Sequence, residues 1–279
     1  MLNLHCGQTA VQVDPGRGLT IRSLRLNGRE VMADVPWEPG PVRPQASPAE
    51  WVQAWQGGWQ PALPNAGLPG SGQGYHGAAS QAPWEIVARS DRELTAGWTD
   101  DSLRVTRVVT VLADGVIVHS AARNTGPEPR RMVVTEHLVL GTRDASIEAP
   151  GTVVHPLDDA AAQLPGEPWP GRADPDWSVA VAGRTPARCA AVAGAGPDGV
   201  VVRMEGGPVR IRWDRAALPY FWLWQSIAAQ DAPPWNGETA ALGVEPSTTP
   251  HGQGIDAAGD QCLVIEPGES VTWWVSLTA

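Results

Sequence analysis

The chain has 279 residues and a formal net charge of −10 at pH 7, every basic residue other than its six histidines being an arginine. An acidic chain with no basic block lacks the clustered positive charge that a nucleic-acid backbone demands, so no nucleic-acid partner is expected. The absence of lysine excludes Schiff-base catalysis and a P-loop. No run approaches the roughly 18 apolar residues that a membrane-spanning helix needs, so no membrane partner is expected either.

Glycine and proline make up about a fifth of the chain, below the roughly 25–30% of low-complexity sequence, which fits a folded protein with many turns. The start, MLNLHCGQTAVQV, carries no basic leader followed by an apolar run, which predicts a cytoplasmic location. Cys6, Cys189 and Cys262 are odd in number and far apart, with no C-x-x-C spacing, and are expected to be reduced, buried small hydrophobes.

In chain order, Leu19–Val31 reads as two strands joined at Asn27-Gly28, the dipeptide that best tolerates the positive φ of a tight hairpin turn. Gly57–Ile86 is broken by Pro61, Pro64, Pro69, Pro83 and seven glycines, which rules out a helix and predicts a long ordered loop with short extended pieces. Loops of this length in compact domains usually bind something. Leu103, Val105, Val109 and Val111 alternate with polar residues, and Asp114-Gly115 turns the chain into a second strand to Arg123.

After a turn at Asn124-Thr125-Gly126-Pro127, Met132–Leu140 is another strand candidate. Gly151–Asp176, rich in Pro, Ala, Asp and Gly, predicts a long excursion over one end of the sheets. Further strands are expected at Val200–Arg203, Val209–Trp213, Cys262–Ile265 and Val271–Leu277. With few or no helices to serve as crossovers, the pattern predicts an all-β fold, one large antiparallel β-sandwich over a single domain, residues 1–279.

Three segments stand out: YHGAASQAPWE with His76, TEHLVLG with His137, and LGVEPSTTPHG with Glu245. An imidazole and a carboxylate can act as an acid and base pair at neutral pH. Taken singly, each has an ordinary role, a strand histidine as a structural residue and a glutamate before proline as a partner for loop amides. No H-x-H or H-x-x-x-H pair occurs, so no metal is expected. Tryptophan is unusually abundant, 14 against one Phe and two Tyr. Trp222, Trp224 and Trp235 precede Glu245, and Trp55, Trp59 and Trp84 flank the first loop. An indole can stack on the apolar face of a pyranose.

Taken in order, the segments resemble the aldose 1-epimerase (galactose mutarotase-like) family. GGWQPALPNAG followed by HG and PWEI is similar to its first binding loop, EHLVLG to its second-histidine strand, and FWLWQ through GVEPSTTPHG to its glutamate segment. The resemblance implies a sugar cleft on one sheet of the sandwich and no cofactor. It implies His137 as the general acid on the ring oxygen, Glu245 as the base on the anomeric hydroxyl, and His76 as a sugar or ring-oxygen partner. Asn65, Trp59, Trp224 and Gln225 are substrate-binding candidates by position in these segments. The arginine that follows the asparagine in many relatives is Ala66 here. The expected partner is an aldose, and the expected state a monomer or homodimer. The alternatives are a non-catalytic carbohydrate-binding protein on the same scaffold, or a glycoside hydrolase or lyase whose second carboxylate would be Glu136 or Asp231.

Overall fold

The computed structural model describes residues 1–156, 166–171, 176–183 and 187–279. Among these, two large antiparallel sheets pack face to face. The first runs in the order β1 (Leu2–Cys6), β2 (Thr9–Asp14), β3 (Thr20–Leu26), β5 (Trp59–Ala62), β11 (Thr135–Gly141), β20 (Ala240–Ser247), β19 (Tyr220–Ile227), β16 (Arg188–Ala193), β13 (Val153–Pro156) and β14 (Glu167–Pro168), with β4 (Arg29–Glu30) paired to β3. The second runs β15 (Val179–Val181), β12 (Asp144–Glu148), β17 (Val200–Met204), β18 (Gly207–Trp213), β22 (Ser270–Thr278), β9 (Gly115–Asn124), β8 (Leu103–Leu112), β7 (Glu93–Thr99) and β6 (Glu85–Arg89). β10 (Arg130–Met132) and β21 (Leu263–Ile265) form a separate small ladder.

Period-two alternation builds the core between the sheets. Along β8, Leu103, Val105, Val109 and Val111 are buried, and they belong to one buried core with Leu138 and Leu140 of β11, Phe221 and Leu223 of β19, and Leu242 and Val244 of β20. Arg107 occupies a core position of β8 and pairs there at 2.6 Å with Glu136 of β11, which faces it from the other sheet. The opposite face of the first sheet is covered by loops and by one short helix.

The hairpin at Asn27-Gly28 forms with both residues at positive φ, 52° and 80°. The strand expected over Met132–Leu140 is instead two, interrupted at Val133-Val134, since β10 leaves to pair with β21 while β11 enters the first sheet. The described parts of Gly151–Asp176 add β13 and β14 at one end of the first sheet. The rest of that expected excursion, 157–165 and 172–175, lies outside the described residues. The cysteines are free, Cys262 buried and the other two half-buried.

One helix, α1 (Pro48–Ala54), was not foreseen from the pattern. Its start is nonetheless written in the sequence: Ser47 caps the Glu50 amide, Glu50 returns a bond to the Ser47 amide at 3.0 Å, and Pro48 opens the first turn. No helix among the described residues is long and apolar enough to cross a membrane.

Candidate active site

A cavity of about 790 Å³ opens on the loop-covered face of the first sheet. Its floor follows from strand parity. Inward residues of β11, β20 and β19 fill the core, so the residues between them, His137, Glu245, Trp222 and Trp224, face the cavity. Thr135 lies opposite Ser247 and Val139 opposite Gly243, a register that brings His137 level with Glu245 on the neighbouring strand. Trp222 stands opposite Glu245 on the other side.

The roof comes from α1 and the loop of residues 63–77. Trp51 and Trp55, four residues apart, lie 5.2 and 5.6 Å from the His137 ring, and the Trp51 indole donates to Ser80 Oγ at 2.9 Å. Trp224 and Trp235 continue the aromatic wall, 5.9 Å apart. His76 enters from above with its ring 5.3 Å from that of His137. Its φ of 57° is a left-handed conformation that only the surrounding contacts sustain. The Gly67 amide donates to His76 Nδ1 at 3.1 Å, and the His76 amide returns a bond to the Gly67 carbonyl at 3.0 Å. With Nδ1 accepting, neutral His76 carries its proton on Nε2. Gly67 must be glycine: at φ 84° a side chain would collide with the Gly252 carbonyl of the adjoining loop.

Burial sets the charges. His137 is pulled down to about 4 by burial, and His76 is lowered by burial and then by His137 beside it. Burial holds the Glu245 carboxyl well above its ordinary range, and no ion pair to Glu245 exists among the described residues. Burial therefore disfavours the charged form of both groups, drawing a proton toward Glu245 and away from His137. Burial, and then Glu245, also keep the Tyr75 hydroxyl and Cys189 thiol protonated. Among the described residues no cluster of His, Cys, Asp or Glu could hold a metal ion.

Of the residues singled out in the sequence, His76, His137, Glu245 and Trp224 meet around this cavity. Three substrate-binding candidates do not. Trp59 points into the core, where its indole donates to Glu136 Oε2 at 2.8 Å. The Asn65 amide donates to the Leu68 and Gly74 carbonyls at 2.9 and 3.1 Å and accepts from the Ile255 amide at 2.7 Å, so it ties two loops together. Gln225 accepts from Arg188 at 2.8 Å and donates to the Trp177 carbonyl at 3.3 Å. Glu136 faces the core on Arg107 and Asp231 is exposed, so neither offers Glu245 a second carboxylate in the cavity. The sequence reading missed Trp51, whose position follows from the capping box, and Tyr75, adjacent to His76.

No curated protein matches the sequence. Solved structures do match in shape. A provisionally assigned aldose 1-epimerase of Escherichia coli K12 superposes with a TM-score of 0.73 at 17% identity, covering 99% of this chain and 97% of that one. Another from Klebsiella pneumoniae gives 0.75 at 16%, covering 99% and 81%. The galactose mutarotase related enzyme of Lactobacillus acidophilus gives 0.69 at 16%, covering 99% and 96%. These likenesses establish a galactose mutarotase-like β-sandwich. The family model described as a domain of unknown function, DUF4432, matches residues 1–279, and the chain belongs to that family.

Proposed function

We propose that the protein is an aldose 1-epimerase-like isomerase that interconverts the α and β anomers of an aldose. The observation that carries this reading is the pair His137 and Glu245, level on adjacent strands in one aromatic-walled cavity, with the Nε2–H of His76 above them. Glu245 takes the anomeric hydroxyl proton while His137 delivers one to the ring oxygen. The C1–O5 bond breaks, C1 becomes an aldehyde carbon, and rotation about C1–C2 presents its other face. Closure reverses both transfers, Glu245 returning its proton to the aldehyde oxygen as His137 takes the proton of the attacking hydroxyl.

The pair needs one shared proton in total, and burial raises the proton affinity of Glu245 while lowering that of His137. The two protonation arrangements of the cycle differ only by a proton passed through the sugar. Trp222 and Trp224 offer faces to the apolar side of the ring, and His76 is suited to donate to the ring oxygen or a hydroxyl. The same reading takes residues 1–279 as one domain, which is supported by the span of the family match.

NMR exchange or polarimetry of a panel of aldoses tests the proposal. Acceleration of anomer exchange for at least one aldose is expected. Sugar binding without acceleration of any would instead favour a non-catalytic carbohydrate-binding protein.

A further inference from the structure

Gly243 lies in the interior of β20 between Leu242 and Val244, where a larger residue would ordinarily strengthen the strand. Its φ lies outside the left-handed region, so the backbone does not ask for glycine. Space does. A Cβ at 243 would overlap Glu245 Oε1 and stand 3.1 Å from its Cδ and 3.2 Å from the Cβ of Trp224. Residues 243 and 245 share the cavity-facing side of the strand, and Val139 and Trp224 flank residue 243 from the two neighbouring strands. The Glu245 side chain folds back into this gap, so its carboxylate rests over bare backbone.

We infer that Gly243 is a positioning residue, its missing side chain forming the seat that holds the Glu245 carboxylate folded back along β20 in the cavity wall. A methyl group there turns the carboxylate out toward the cavity mouth. The atom that overlaps outright is the end of a flexible side chain and the Trp224 Cβ need give by only a few tenths of an ångström, so the fold survives the change while the geometry of the base does not. The kinetic consequence rests on the mutarotase reading, whereas the seat itself can be measured without activity.

The test is Gly243→Ala. The variant is expected to fold, to lose about 100-fold in kcat, the scale of one displaced acid or base, and to keep KM within about threefold. Carbon-13 NMR of the Glu245 carboxyl, assigned with Glu245→Gln, is expected to move its titration down toward the ordinary range as burial is lost. A purely structural glycine would not produce that shift. A folded variant with wild-type kcat and wild-type Glu245 titration overturns the inference. If the wild type catalyses no mutarotation, the proposed function fails, and the titration shift in Gly243→Ala still upholds the seat. If Gly243→Ala does not fold, Gly243→Ala/Glu245→Ala decides, because removing the carboxylate removes the collision. Recovery of folding supports the seat, and a double variant that stays unfolded overturns it.

Discussion

Glu136 and Glu245 are both almost fully buried, 0% and 3% exposed, and both stand on central strands of the first sheet, yet they point to opposite faces and meet opposite surroundings. On the core face, Glu136 accepts from Arg107 at 2.6 and 2.9 Å, from Trp59 at 2.8 Å and from Trp273 at 2.7 Å. Burial alone would raise its pKa, but the Arg107 charge and these bonds outweigh burial and hold the carboxylate below its ordinary range. On the cavity face, Glu245 meets burial without a cation, and its pKa rises. Burial therefore does not decide what a carboxylate does; its partners do. A paired one ties two sheets together, while an unpaired one is left able to exchange a proton, at some expense of stability.

The comparison breaks most visibly in activity. Glu245→Gln and His137→Asn are each expected to cost about 10²–10⁴ in anomer exchange, the contribution of a positioned base or acid. Retention of rate in both folded variants would remove the chemical half of the contrast. Glu136→Ala is expected to act on stability instead, at about 3–5 kcal/mol, because Arg107 is left buried and unpaired. Urea unfolding measures this, and Arg107→Met/Glu136→Leu should recover part of the loss; an equally unstable double variant would contradict the pairing argument.

The two glutamates also predict opposite responses of stability to pH. The folded pKa of Glu245 is raised above the unfolded value of 4.5, so its contribution is fully present below that value and is lost as pH rises through the folded pKa. The folded pKa of Glu136 is lowered, so its contribution is present above 4.5 and lost as pH falls. Melting temperatures against pH should therefore show Glu245→Gln gaining on the wild type toward alkaline pH, and parallel curves would refute the assignment. The pH–rate profile should be bounded below near 4 by His137 and above by the raised Glu245. The smallest effect is expected from Trp224→Ala, a two- to tenfold rise in KM, equivalent to about 0.5–1.5 kcal/mol, with kcat little changed.

Much of this was legible in the residues, and the failures share a physical cause. Asn27-Gly28 and the alternation of Leu103–Leu112 announced their hairpins because a turn's φ demands and a two-sided sheet leave local marks. The meeting of His76, His137, Glu245 and Trp224 around one cavity accords with their order along the chain. Trp59, Asn65 and Gln225 were misjudged because nearness in sequence does not say which face a side chain takes. Parity would have corrected one of them, since a strand that sends Trp224 into the cavity sends Gln225 the other way. Helix α1 escaped because seven residues are too few to show a period and depend on packing for their stability.

The most direct test of the division between the two carboxylates is the anomer-exchange rate of Glu245→Gln by NMR, on an aldose that the wild type accelerates. The account predicts at most about one-hundredth of the wild-type rate in a protein that melts no lower than the wild type at pH 7. A folded Glu245→Gln that exchanges anomers at the wild-type rate would contradict it.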